Sequence, residues 1–175
     1  MSDLVNMLAV KLADSDRLHA ITQRVGFVLW QLQELEGSAA RAFVLLAQAT
    51  EGMGLVPALE LVQKAQSKTF GATVRQFIKA GLLTSELEAE FASVLVDRNW
   101  LVHKSKAESR DAIYSDVAAS VLIRRLDDIG KKSSKLLHSL GSMAETSAKR
   151  RGVTDQQIQT MTAELLEQWH RGGAN

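Results

Sequence analysis

The sequence lacks cysteine and has little proline or aromatic content, and each shortage narrows the class of protein. Without cysteine there can be no disulfide and no thiolate metal ligand, which favours a reducing, cytoplasmic location. A single proline, Pro57, and 5% aromatic residues leave a β-sheet short of turn formers and strand formers. No apolar run approaches the roughly 18 residues of a membrane span, and Asp3 lies where a secretory signal would be apolar or basic, so we expect no membrane segment.

The residues that are abundant favour helices and a packed core. Hydrophobic residues make up 46% of the chain and charged residues 23%, and the strong helix formers Ala, Leu, Gln, Glu, Lys and Arg dominate. A length of 175 residues fits one domain with a short appendage. The net charge of +1 neither favours nor excludes a polyanionic partner, so any nucleic-acid binding must come from local basic clusters.

Apolar residues recur with a helical period over most of the chain, which predicts an all-α antiparallel bundle with two long helices. The first long helix is expected to end near Thr50, and the second to run from Ser109 or Asp111 to about Arg151. Residues 13–16 are expected to end a short N-terminal helix and to cap the first long helix, whose apolar stripe starts at Leu18. We therefore predict three parts: a short N-terminal helix in 1–15, a bundle in 16–140 and a helical extension in 141–175.

Two sequences of the capping-box type mark further helix starts. The first begins at Ser85 and opens a helix that ends near His103, after which residues 104–108 are expected to form a loop. The second begins at Thr154 and opens a closing helix. The apolar stripe of that helix consists of Ile158, Met161, Leu165 and Trp169.

Patterns for metal and nucleotide sites are missing, and no cofactor is expected. None of the four histidines is followed at i+3 or i+4 by a histidine or carboxylate that would form a ligand pair, and Glu34 and Glu36 point to different helix faces. The pair Gly52 and Gly54 lacks the Lys-Ser/Thr that follows in a phosphate-binding loop.

The most chemically specific segment is Arg98-Asn99-Trp100-Leu101-Val102-His103, near the end of the helix that Ser85 opens. Arg98 and His103 are five residues apart, about 7.5 Å along a helix and about 140° around it, so they do not share a stripe. Asn99 and His103 do share one. The segment fits two interpretations: an arginine paired with an acid and a histidine that suits the helix dipole, or a catalytic group.

This segment resembles the Arg-x4-6-His motif of the HEPN superfamily, in which a polar residue often follows the arginine, as Asn99 does here. The resemblance extends over about residues 16–140 and includes the helix order, the run Thr69–Val74 and the pair Leu82-Leu83. It implies a metal-independent endoribonuclease, with a toxin or defence role, whose composite site forms between two protomers. In toxin-type members a tyrosine often lies two residues after the histidine, but here that position is Ser105 and the only tyrosine is Tyr114.

The resemblance implies a role for each motif residue. His103 would act as base or acid at the ribose 2′-hydroxyl, Arg98 would stabilise charge on the phosphorane-like transition state, and Asn99 would orient His103 or the phosphate. Lys104, Lys106 and Arg110 flank the motif and are candidates for binding RNA. The implied partners are a second copy of the chain, RNA and an antitoxin protein. The alternative is a non-catalytic helical dimerisation or binding module that keeps the motif for structural reasons.

Overall fold

A computed structural model describes residues 2–172, with the side chains of Ser2, Leu165, Trp169 and Gly172 left out of the description. All regular secondary structure in this range is helical, so the predicted all-α class is confirmed. The two long helices are present as well, with 42 and 35 residues. The α-helices are α1 (Ser2–Phe43), α2 (Leu55–Gln66), α3 (Phe70–Lys79), α4 (Ser85–His103), α5 (Ser105–Glu108), α6 (Asp116–Arg150) and α7 (Asp155–Gly172). A π-turn (Val44–Gln48) extends α1, and a 3-10 turn (Arg110–Ile113) precedes α6.

The side-chain contacts give the direction of each helix in the bundle. Arg17, in the first half of α1, contacts Asp116 at the start of α6, whereas Arg151 after α6 donates to the carbonyl of Leu45 just past α1. The two long helices therefore run in the same direction. Along α4 the order is reversed, because Trp100 meets Arg125 and Glu90 meets Lys135 further along α6. Helix α4 is thus antiparallel to α6.

The core lies where α1, α3, α4 and α6 meet. The rings of Phe77 and Phe91 are stacked with centroids 6.1 Å apart, and Phe43 packs edge-on to Phe77 at 5.4 Å. Leu35 and Leu126 are fully buried on α1 and α6. Because burying such a side chain contributes roughly 1.5–3 kcal/mol, this apolar layer holds α4 in place between the long helices.

The predicted interruption of the first helix at residues 13–16 is wrong. α1 runs without a break from Ser2 to Phe43, so the predicted short N-terminal helix is the first part of one long helix. The polar residues here serve side-chain pairing: Arg17 binds Asp14 within α1 and Asp116 at the start of α6. A polar stretch that pairs with side chains in this way does not need to end the helix.

Three helix boundaries also differ from the prediction. The hydroxyl of Thr84 caps α4 by accepting from the backbone N–H of Leu87, so the cap lies one residue before Ser85. Residues 105–108 form the short helix α5 where a loop was expected, and α6 begins at Asp116, later than Ser109 or Asp111. The capping box at Thr154 is confirmed, because Thr154 and Gln157 exchange hydrogen bonds of 2.8 and 3.2 Å.

Over residues 2–172, none of the helices combines the length and the apolar character that crossing a bilayer requires.

Candidate functional site

The motif is anchored by two buried residues in the last turns of α4. Trp100 and Leu101 are only 6% and 4% exposed, and they point into the core. The chain leaves the helix through a backbone bond from Lys104 N–H to the carbonyl of Trp100, and the hydroxyl of Ser105 donates to the carbonyl of Leu101. Because these anchors fix the rotation of α4 about its axis, they also fix which motif side chains face outward.

Asn99 and His103 share one face of α4, as their i, i+4 spacing predicted, and the structure shows that this face is turned outward. Both are exposed, and they continue a stripe that begins with Ala92 and Val96 earlier on α4. Val96 is 67% exposed, so this polar pair is bordered by apolar surface. No hydrogen bond joins Asn99 to His103 within the described chain, which leaves the Asn99 amide available to a ligand.

Arg98 lies away from that stripe and is held by a carboxylate on another helix. Its Nε donates to Oε1 of Glu36 on α1 at 3.0 Å, and the two side chains are 30% and 28% exposed. Only Nε takes part in this bond, so the two terminal amino groups of the guanidinium can still bind a bidentate anion. Arg98 and His103 thus face different directions within one chain, as helix geometry predicted.

Glu36 is the functional-site residue that the sequence did not reveal. It lies beside buried Leu35 and three residues before buried Ala39, at the border of the apolar stripe of α1. A carboxylate at such a border needs a partner, and that was the available signal. Glu34 makes its own pair with Arg41 on a different face, as predicted for two acids two residues apart.

Trp100 connects three helical segments around the motif. Its indole N–H donates to Oε2 of Glu108 on α5 at 2.6 Å, and the guanidinium carbon of Arg125 on α6 lies 3.3 Å from the ring centre. A cation over an indole face is attracted by the ring quadrupole. These contacts hold the turn after His103 against α6.

The three candidate RNA-binding residues form an accessible cationic segment directly after His103. Lys104, Lys106 and Arg110 are all exposed, and none of them pairs with a carboxylate anywhere in the described residues. The basic residues further along α6 differ. Most are occupied, in the pairs Lys131–Asp128, Lys132–Asp97, Lys135–Glu90 and Lys149–Glu145. Lys104, Lys106 and Arg110 therefore supply positive charge without a carboxylate partner directly after the motif, where it can attract a polyanion.

Groups of three or more His, Cys, Asp or Glu residues close enough to hold a metal ion do not occur in residues 2–172.

Comparisons of the chain with known protein families, with curated proteins and with solved structures each gave no match.

Proposed function

We propose that this protein is a metal-independent endoribonuclease of the HEPN type, with a toxin or defence role, and that it acts as a homodimer with a composite site. The observation that carries the proposal is the arrangement of the motif. An exposed histidine shares a stripe with an exposed asparagine, the arginine is anchored with its amino groups available, and unpaired cations follow directly.

The residue types suit cleavage by the neighbouring ribose hydroxyl. His103 would accept the proton of the 2′-hydroxyl as O2′ bonds to phosphorus, and His103 of the partner subunit would donate a proton to O5′ as the P–O5′ bond breaks. The products are a cyclic phosphate and a 5′-hydroxyl. Arg98 would stabilise the charge that develops on the phosphoryl oxygens, and Asn99 would donate to the same phosphate.

A second protomer supplies what one chain lacks. The motif of one chain holds a single histidine, so one chain presents one imidazole on its outer stripe. Within that chain Arg98 and His103 face different directions. That stripe also carries exposed Val96, and Val102 is 48% exposed next to His103, which gives a small apolar contact surface. If two stripes meet around a two-fold axis, both histidines come to the same cleft.

The test is RNA cleavage by the purified chain in EDTA. Wild type should cut single-stranded RNA, whereas Arg98→Ala and His103→Ala should lose at least about 100-fold in rate, the scale of a missing acid–base or charge-stabilising group. His138→Ala is the matched control, because His138 is exposed on α6 and lies outside the motif. Intact RNA with folded wild type, or equal cleavage by the His103 variant, would contradict the proposal.

A second candidate function is a non-catalytic dimerisation or binding module. The Arg98–Glu36 bond favours it, because that bond gives the arginine a structural role that needs no substrate. On this hypothesis His103→Ala would alter dimer formation or stability and no activity would exist to lose. The cleavage assay and a dimerisation measurement on the same variants separate the two candidates.

A further inference from the structure

The first residues of α1 extend beyond the rest of the bundle. Arg17 contacts Asp116 and the carbonyl of Ile113, which lie at the beginning of α6 and in the turn before it. Residues 2–13 of α1, here named the overhang, therefore lie beyond the N-terminal end of α6. Their large apolar side chains are each between 49% and 64% exposed: Leu4, Val5, Met7, Leu8, Val10 and Leu12.

Helix α7 presents a second apolar surface that nothing in the described chain covers. It is capped by Thr154 and joined to the end of α6 by the pair Lys149–Asp155. Ile158, which is half-buried, and Met161, which is 60% exposed, are neighbours on one face of α7, and Leu166, about 140° around the helix from Met161, is 48% exposed. Apolar surfaces of this kind mark contact sites, since soluble monomers rarely expose large contiguous ones.

These two surfaces cannot cover each other within one chain. Because α1 and α6 run in the same direction, the overhang lies at the start of α6 and α7 begins at its other end. At 1.5 Å per residue, the 35 residues of α6 span about 52 Å. The 18 residues of α7 span about 27 Å, so α7 reaches at most half of the distance even when it folds back along α6.

We propose that the two surfaces cover each other between two copies of the chain, in a two-fold dimer in which α7 of each protomer packs against the overhang of the other. Antiparallel protomers bring the start of one α6 next to the end of the other, which is where the two surfaces lie. At about 27 Å, α7 is long enough to cover the 12-residue overhang, which spans about 18 Å. The symmetry forms the contact twice, and each apolar helix is matched in a one-to-one ratio.

This inference deepens the proposed function, since it names the surfaces that would join the two protomers. A two-fold axis that is perpendicular to α4 and α6 makes each of these helices antiparallel to its copy. One such axis is therefore compatible with both the contact between α4 stripes and the contact between α7 and the overhang. The apolar contact between α7 and the overhang does not depend on the proposed nuclease chemistry.

The absence of cysteine makes a cross-linking test unambiguous. Leu8→Cys and Met161→Cys chains carrying different tags are refolded together and oxidised, and we expect a disulfide-linked heterodimer as the main product. The control pairs Leu8→Cys with Val117→Cys, which is 76% exposed at the other end of α6 from α7 and should not cross-link. Predominant disulfides between two Leu8→Cys chains would overturn the proposal. A cross-link of equal yield between the Leu8→Cys and Val117→Cys chains would overturn it as well.

A second measurement covers the case in which the disulfide fails for geometric reasons. Leu8→Glu and Met161→Glu should each convert the dimer to a monomer in light scattering with unchanged helical circular dichroism, and Val117→Glu should not. A wild-type chain that is monomeric at micromolar concentration would overturn the proposal. Cross-linking without RNA cleavage would remove only the nuclease function, and cleavage without this cross-link would remove only this interface.

Discussion

Arg98 donates from Nε to Oε1 of Glu36 at 3.0 Å, and this bond joins α4 to α1 across the bundle. Both side chains are partly shielded from solvent, so the pair is stronger than one on the open surface and weaker than one in the core. The same bond fixes the guanidinium at the base of the motif. One interaction thus stabilises the fold and positions a group for phosphate binding.

We expect Glu36→Gln to lower the free energy of unfolding by about 0.5–1.5 kcal/mol, the range of a charged hydrogen bond with partial exposure. Urea denaturation of the variant measures this change. Glu34→Gln is the control, because the Glu34–Arg41 pair is more exposed and should contribute less. Equal effects of the two substitutions would show that Glu36 has no special role, and a double-mutant cycle with Arg98→Ala would then give no coupling.

The exposed position of His103 predicts that it contributes little to stability. His103→Ala should leave the free energy of unfolding within about 1 kcal/mol of wild type, since a cation at a helix C-terminus contributes about 0.3–1 kcal/mol. Thermal melts at pH 5.5 and 8, with His138→Ala alongside, measure this. A loss well above that value would favour the structural interpretation of the motif.

The contact of Arg125 with Trp100 predicts a fluorescence signal at the motif. Arg125→Gln should destabilise the protein by about 0.5–1 kcal/mol and change the emission of Trp100, because the cation over the ring is removed. Arg124→Gln, an exposed neighbour with no ion pair in the described chain, is the control and should change neither. If Arg124→Gln produces the same emission change, the signal comes from the overall charge of α6.

Alanine substitution at two glycines of α6 is expected to change the free energy of unfolding differently. A Cβ on Gly141 meets nothing within 4 Å, so Gly141→Ala should stabilise the helix by about 0.5–1 kcal/mol. A Cβ on Gly130 would lie 2.7 Å from Oε1 of Gln31, an atom that is buried without a hydrogen-bond partner in the described chain. We therefore expect Gly130→Ala to give no gain, and to become favourable when Gln31→Ala is combined with it. Urea denaturation of the three variants checks the order.

Lys149 predicts how the junction of α6 and α7 responds to pH. Hydrogen bonds that Lys149 donates to Asp155 first, and then to Glu145, raise the pKa of Lys149 above its ordinary value. Because the folded pKa is raised, protonated Lys149 stabilises the folded junction, and this contribution is fully present below the ordinary lysine pKa of about 10.4. It is lost as the pH rises further and Lys149 loses its proton. In thermal melts, the difference between wild type and Lys149→Gln should stay constant from pH 6 to 9 and shrink above pH ~10.4. A difference that shrinks already between pH 6 and 9 would assign it to another group.

Local pattern predicted the helices and the shared face of Asn99 and His103, because helical period and capping depend on neighbouring residues. The shared exposure of Asn99 and His103 follows from their spacing and from the buried Trp100 and Leu101. Prediction from the sequence failed where residues distant in the chain interact. Arg17 binds Asp116, 99 residues away, and thereby removes the expected helix end, and Glu36 binds Arg98 over 62 residues.

The unbroken course of α1 has a mechanical consequence. Leu8 in the overhang and Glu36 beside Arg98 are two points on one helical rod, about 42 Å apart. A tilt or rotation imposed on the free end of that rod is carried to the carboxylate that holds the guanidinium. The exposed N-terminal part of α1 and the carboxylate that binds Arg98 therefore belong to one continuous helix.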